Sequence, residues 1–435
     1  MKKIFPIICF TLLLSSQNSF AASLDQEIDG QIGNLLATYK DIHQHPELSM
    51  MEKNTSAKLA KGLKKLGFDV TDNFGGYGVV GIFKNGDGPK ILIRTDMDAL
   101  PIKEDTGLEY ASTVMMKDRN GEQMPAMHAC GHDMHMTVWL GVAKTLVDEK
   151  DQWHGTIMMV GQQAEEIGRG AKSLLDNELY KKFFKPDYAL ALHVNPQIAS
   201  GQIGYRSGFV MAGTDTVDID VYGIGGHGAM PQKTIDPIVL SSRIILDLQT
   251  IISRNISPLD SAVITVGAIN GGTQNNIIPD VVKLKLTIRS YKEEVRNTIF
   301  SGLERITRGD SIAAGLSPDK YPKIIKDRDP VPALYNSPIL EAKLRASFAK
   351  SVGENNIVDF EPAMTGEDFS RYAQDNVPVA MFRLGIGDPK EVAAGGAKTP
   401  NLHSANMKPY NPEEAIKIGV KTMSNAVMDL MNSGN

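Results

Sequence analysis

Between Met127 and His135 the chain reads Met-His-Ala-Cys-Gly-His-Asp-Met-His, so one thiol and three imidazoles fall within eight residues. A thiolate near a neutral imidazole makes a strong ligand pair for a borderline-soft divalent cation. Taken alone, Cys130 suits a small buried core residue equally well, because thiols outside disulfides are usually buried and inert. Other ligand types stand further along. Glu165 and Glu166 are adjacent after one apolar run, and Asp96 and Asp98 are two apart after another. His193 ends a third run, and His403 lies in Asn401-Leu402-His403-Ser404. On an extended segment adjacent side chains point oppositely and alternate ones point the same way. One glutamate can then ligate while its neighbour faces water or substrate, and Asp98 can stand behind a ligand and orient it. Singly, the glutamates read more readily as a solvated acidic turn and the histidines as structural. With Cys130 and His132 they offer ligand atoms from separate segments.

What must position them is an α/β layer. Ile91–Arg94, Thr156–Gly161 and Tyr188–Leu192 are strand-like apolar runs, each leading into one of those polar clusters. They alternate with helical periods at Leu24–Ile42, Asn54–Leu66 and Met136–Val147. Strands apolar throughout belong to a buried, mostly parallel sheet, which gathers its ligands beyond the strand C-termini. Near Arg206 the pattern changes. Val217, Ile219 and Val221 alternate with polar residues, as do Val282, Leu284, Leu286 and Ile288 with Lys283, Lys285, Thr287 and Arg289. Adding helices Ile235–Ile252 and Glu293–Ile306 and strands Ala262–Ala268 and Lys323–Lys326 gives β-α-β-β-α-β, the ferredoxin-like order. Beyond Pro330 and Pro332 the chain returns to a helix, Ile339–Val352, and an apolar strand, Val377–Leu384. The expected fold is α/β: a mostly parallel-sheet metal-binding catalytic domain from residues 22–206 and 327–435, with an inserted ferredoxin-like α+β domain at 207–326. Two crossings, near Arg206 and Pro330, would let the insertion close as a lid.

With 435 residues and 42% hydrophobic content, the chain is long and apolar enough for two domains. A charged fraction of 22% and a net charge of -5 offer nothing to nucleic acid or an anionic membrane surface. Lys2, Lys3, the apolar run Ile4–Leu14 and Ser19-Phe20-Ala21 form an export signal over residues 1–21. Its apolar run is too short for a permanent span, so no stable membrane anchor is expected. The mature chain would be periplasmic or secreted. Cleavage removes Cys9 and leaves Cys130 without an intramolecular disulfide partner. Burial or metal ligation would then protect that thiol in an oxidising compartment. Loss of Lys2 and Lys3 takes the net charge from -5 to about -7, which favours solubility only.

Seven segments, in order over residues 35–425, carry a resemblance. They are His43-Gln44-His45-Pro46-Glu47-Leu48; Arg94 to Pro101; Met127 to His132; Ala164-Glu165-Glu166; Leu192-His193; Gly225-Gly226-His227-Gly228-Ala229-Met230-Pro231; and Asn401-Leu402-His403-Ser404. The chain resembles the co-catalytic metallo-aminoacylase and carboxypeptidase family, peptidase family M20, in the branch of hippurate hydrolase and the auxin-conjugate amidohydrolases. The resemblance implies two divalent ions (Zn, Mn, Ni or Co) held by Cys130, His132, Glu166, His193 and His403. It implies Glu165 as general base and Asp98 as the carboxylate that orients a ligand. His227, on a glycine-rich loop, would steady the developing oxyanion, in the family often across a homodimer formed through the inserted domain. Asn275 resembles a substrate-contacting Asn, and Arg289 would suit a substrate carboxylate, since guanidinium binds carboxylates bidentately. A turn role for Asn275 and a solvated strand position for Arg289 remain equally open. Gln163 replaces a Pro common before Ala164-Glu165-Glu166, and Gln232 replaces a frequent His after Pro231. Both bear on substrate preference, not the metal centre. His128 and His135 are assigned no ligand role.

The leading function is hydrolysis of an N-acyl-amino acid, or a related small amide, by metal-activated water. Alternatives are a peptidase of short peptides in the same fold, a catalytically silent metal- or ligand-binding relative, and a cysteine nucleophile at Cys130 activated by His132. The intact Glu165 argues against silence. Chelation separates the metal readings from the nucleophile.

Overall fold

The computed structural model describes residues 9–433. Of the expected leader, residues 1–8 lie outside the described residues, and the backbone from Cys9 continues in one helix to Gln44. The chain forms two compact units. One takes the residues up to Gly208, Asn336–Phe360 and Arg371–Asn435; the other takes Phe209–Tyr335 and Glu361–Ser370. The second unit is thus larger than the expected insertion at 207–326, and the chain crosses between units four times rather than twice. Backbone pairing explains the difference. Thr214 and Val331 exchange N–H···O bonds of 2.8 and 3.0 Å, and Ala363 bonds Val210 and Ala212 at 2.9 and 3.0 Å. Sequence periodicity carries no trace of such single-residue bridges.

The first unit is built on an eight-stranded sheet. Its order is Asp69–Phe74, Gly78–Asn85, Gly155–Gln162, Lys90–Asp96, Tyr188–Ala199, Val379–Gly387, Ile203–Tyr205, Ile357–Asp359. The four central strands are mutually parallel; Gly78–Asn85 and Ile203–Tyr205 join them antiparallel on either side, and the outermost strands pair antiparallel at Asp69–Phe74 and parallel at Ile357–Asp359. Ile91, Leu92, Ile93, Ile157, Met158 and Met159 are all but fully buried, as expected of strands covered on both faces. Each such side chain contributes roughly 1.5–3 kcal/mol of transfer free energy. Helices Cys9–Gln44, His132–Asp148 and Pro412–Asn432 pack against one another. They bury Leu24, Ile28, Leu35, Tyr39 and Ile42 with Leu146 and Val420 in one core. No described helix is long and apolar enough to cross a membrane.

The second unit has a four-stranded antiparallel sheet ordered Ala262–Asn270, Val281–Ser290, Gly213–Tyr222, Lys323–Lys326. Helices Pro237–Thr250 and Glu293–Ala313 complete the β-α-β-β-α-β sequence. Val217, Ile219, Val221, Val282, Leu284 and Ile288 are buried with Ile244, Leu248 and Ile299. The wet face pairs Asp218 with Lys285 and Asp220 with Lys283 across strands, opposite charges that favour this register.

Two element boundaries bear on chemistry. The helix expected from Met136 begins at His132, behind Gly131 at φ +82°. A Cβ on Gly131 would meet Val194 Cγ2 at 2.5 Å, so glycine is required there for both reasons. The strand expected to stop at His193 runs on to Ala199, with His193 opposite Arg383.

Candidate metal centre

Four of the polar clusters meet beside the central parallel strands. Cys130 sits in the turn before helix His132–Asp148, and its buried Sγ lies 3.5 Å from His193 Nε2 and 3.3 Å from His403 Nε2. Glu166 Oε2 is 3.5 Å from His403 Nε2, and Glu166 Oε1 is 3.8 Å from His132 Nε2. Glu165 Oε2 lies 4.0 Å from the same His132 nitrogen. Ligand atoms of Cys130, His132 and His193 lie within 4.8 Å of one another, as do those of Cys130, Glu166 and His403. Cys130 belongs to both groups.

The backbone presets each imidazole. His132 Nδ1–H donates to the Asp98 carbonyl at 2.7 Å, and His193 Nδ1–H to the Val194 carbonyl at 2.8 Å. A carbonyl can only accept, so Nε2 is the available nitrogen in both rings. His403 is held at φ +60°, a conformation rare outside glycine, with its N–H on the Ala129 carbonyl at 2.8 Å. It stays exposed, so the site opens to solvent on that side.

The electrostatics ask for cations. Asp96, Asp98, Glu165 and Glu166 crowd one imidazole. Burial alone would push His132 down, but Asp96 and Asp98 outweigh it and hold His132 up at about 10. Burial, aided by Asp98 and Asp96 and opposed by His132, raises Glu166 to about 7. Burial, with the neighbouring His135 and the charge of Arg383, keeps His193 well below its ordinary value, hence neutral. His132 Nε2 and Glu166 Oε1 are buried without a hydrogen-bond partner among the described residues. Buried polar atoms rarely stay unpaired without a reason. A thiol, three imidazoles and a carboxylate around these orphaned atoms fit divalent cations.

Asp98 does more than stand behind His132. Its Oδ1 lies 3.5 Å from His132 Nδ1, its carbonyl makes the shorter bond to the same nitrogen at 2.7 Å, and Oδ1 and Oδ2 accept the Glu165 and Glu166 N–H groups at 3.0 Å each. The two glutamates are not on an extended segment either. They follow Ala164 at φ +55° in a turn, so both carboxylates face His132 instead of diverging. His227 and Asn275 belong to the second unit. There the short strands Gly226–His227 and Ile277–Ile278 pair, bringing the two loops side by side. Arg289, on the wet strand face and half-buried, donates to the hydroxyls of Thr214 and Thr287. Burial lowers its pKa, and no ion pair to a carboxylate is seen for it among the described residues.

Sequence reading missed several supports. His135 has both nitrogens engaged: Nδ1 donates to Asp96 at 2.7 Å and Nε2 accepts the Val194 N–H at 2.9 Å. It braces the site without ligating. Arg94, buried, donates to Asp96 at 2.7 Å and Gln162 at 3.0 Å. A charge inside an otherwise apolar strand was the available signal. Gln163 turns away from the ligands to donate to the Gly75 carbonyl at 2.7 Å, so it anchors the hairpin behind the site.

The comparisons with known proteins follow the same lines. The family model described as peptidase family M20/M25/M40 matches residues 92–429. The chain is 36% identical over 345 residues to an N-acetyl-L-cysteine deacetylase of Bacillus subtilis, covering 78% of this chain and 77% of the relative. It is 34% identical over 403 residues to an N-acetyldiaminopimelate deacetylase of Lactobacillus acidophilus, covering 91% and 98%. Among solved structures it resembles the Bacillus subtilis YXEP protein, a dinuclear metal binding peptidase from the M20 family, at a TM-score of 0.77 and 26% identity over 93% and 99% of the two chains. By sequence over most of its length and by fold, the chain belongs to peptidase family M20/M25/M40.

Proposed function

We propose that the protein is a metal-dependent amidohydrolase that cleaves an N-acyl-amino acid into a carboxylic acid and an amino acid. The observation that supports this reading is Glu165 standing beside two donor groups that share Cys130, one with His132 and His193 and the other with Glu166 and His403. The deacetylase relatives support the substrate class. Those five residues would hold two divalent cations, which when bound polarise the scissile carbonyl and acidify the attacking water. Glu165 takes the water's proton and returns it to the leaving amine. Arg289, a half-buried guanidinium in want of an anion, binds the substrate carboxylate, and Asn275 contacts the acyl-amino acid. Export after cleavage at Ala21 and a homodimer through the second unit complete the proposal. The mass and the sedimentation of the exported chain check both.

The deciding experiment measures metal content and turnover across N-acyl-amino acids and short peptides, before and after chelation. Turnover should vanish with the metals and return with a divalent cation. Activity that survives complete metal removal but falls to thiol alkylation would make Cys130 a nucleophile instead.

His227 is proposed as the oxyanion donor. Its Nδ1 accepts the Ala229 N–H at 3.0 Å, which leaves the proton on Nε2, the donor an oxyanion needs. His227→Ala should lower kcat by about 10²-fold or more, the scale of losing one such donor, with metals retained. An unchanged kcat with only a raised KM would reduce His227 to a binding or turn residue. If the donor acts across a dimer, mixing His227→Ala with Glu165→Gln subunits should restore partial activity.

A further inference from the structure

The direction in which Glu165 points is set by its backbone. Strand Gly155–Gln162 ends just before Ala164, whose φ of +55° is sterically unfavourable for a residue with a Cβ. Such a conformation persists only where the surroundings over-determine it, and it is characteristic of functional sites. Here three consecutive peptide N–H groups point at two buried carboxylates. Ala164 N–H donates to Glu52 Oε1 at 2.8 Å, and Glu165 and Glu166 N–H donate to Asp98 at 3.0 Å each. The carbonyl of Ala164 is held too, by the N–H groups of Arg169 at 3.1 Å and Gly170 at 3.2 Å. The peptide that precedes Glu165 is therefore fixed on both sides.

The local bonds of Glu52 do not explain its reach to Ala164. It is fully buried at the N-cap of helix Lys53–Lys65, where a short side chain such as Asp or Ser ordinarily caps the helix. That service comes from Glu47 instead, which accepts the N–H groups of Asn54 and Thr55 at 2.9 and 2.8 Å, while the Glu52 side chain makes no cap bond. Glu52 Oε1 receives the Met50 N–H at 2.9 Å as well as that of Ala164, and Oε2 has no partner among the described residues. Burial, and then the charge of Asp98, raise the Glu52 carboxyl to about 8, so its placement is electrostatically costly. A costly buried acid that does nothing for its own helix signals a role elsewhere. Ser49, from the same loop, donates to Asp98 Oδ2 at 2.6 Å, so one short segment secures both carboxylates.

We propose that Glu52 is a positioning residue for hydrolysis: it holds Ala164 in the left-handed turn that aims Glu165 and Glu166 at one point. This rests on the reading of Glu165 as base. Its role lies in the reach of Oε1, not in negative charge. Two variants separate these. Glu52→Gln keeps the acceptor and alters only the oxygen without a partner. Glu52→Asp keeps the carboxylate but withdraws it by one methylene. Kinetics, metal analysis and thermal unfolding would be run on both, and on Glu52→Ala, in the metal-loaded enzyme. Glu52→Asp and Glu52→Ala should lose roughly 10- to 100-fold in kcat, since misplacement by about 1 Å can cost up to 10²-fold. Their KM should stay within about threefold and their metals should be retained, while Glu52→Gln restores kcat to within about threefold of wild type. If Glu52→Ala does not fold, the ranking of Gln above Asp still carries the test. The reverse ranking, a wild-type kcat in Glu52→Asp, or losses confined to KM or to metal binding would overturn the proposal. Glu165→Gln serves as the control. Should that variant remain active, the base reading fails and takes this inference with it. Should it be inactive while Glu52→Asp is fully active, only the inference fails.

Discussion

Glu165→Gln is expected to abolish turnover while leaving the metal content near wild type. The carboxamide keeps the shape of the side chain and can still accept the hydrogen bonds of its surroundings, but it cannot take a proton from water. Glu165 lies 4.0 Å from His132 Nε2 and groups with His132 and Glu166, but it stands outside the two groups that share Cys130, and a carboxamide in its place keeps an oxygen donor there. Its loss should therefore remove proton transfer without opening the cation site. A general base contributes about 10²- to 10⁴-fold, so kcat should fall at least 10²-fold. The measurement is steady-state kinetics beside elemental analysis of the same preparation. A variant retaining more than about a tenth of wild-type kcat would show that Glu165 is not the base.

Cys130→Ala should remove metal and activity together. The thiol belongs to both ligand groups, with His193 Nε2 and His403 Nε2 at 3.5 and 3.3 Å. A thiolate ligand is deprotonated by the cation and adds directly to binding free energy, so an alanine at this position weakens both groups at once. Partners that merely support a ligand typically cost about 10- to 100-fold in affinity or activity, and a shared ligand should cost more. Elemental analysis should show fewer than two equivalents per chain, and added divalent cation should rescue activity only partly. Two full equivalents in the alanine variant would exclude Cys130 as a ligand.

These expectations differ in how much of them was legible in the sequence. Hydrophobic period is a local property, and it placed the elements well. The uninterrupted apolar runs around Ile91 and Ile157 are strands buried on both faces. The alternation at Val217–Val221 and Val282–Ile288 marks a sheet with one wet face. Ligand chemistry is also written in residue type, and the five ligand candidates do converge. What the chain alone could not determine is which atom of a residue faces which neighbour, because that depends on backbone dihedrals and on partners distant in sequence. A left-handed Ala164 turned an expected divergence of Glu165 and Glu166 into convergence. The Asp98 carboxylate accepts two peptide N–H groups 67 and 68 residues away while standing 3.5 Å from His132, whose shortest bond is to the Asp98 carbonyl. His135, chemically as able a ligand as His132, is excluded only because Asp96 and the Val194 N–H occupy both its nitrogens. Glu52 carries no periodic or motif signal, and its meaning appears only where its Oε1 meets Ala164, 112 residues on. Composition and period thus determined the layers and the kinds of donor. Long-range hydrogen bonds, which fix dihedrals against their local preference, determined the geometry in which those donors can act.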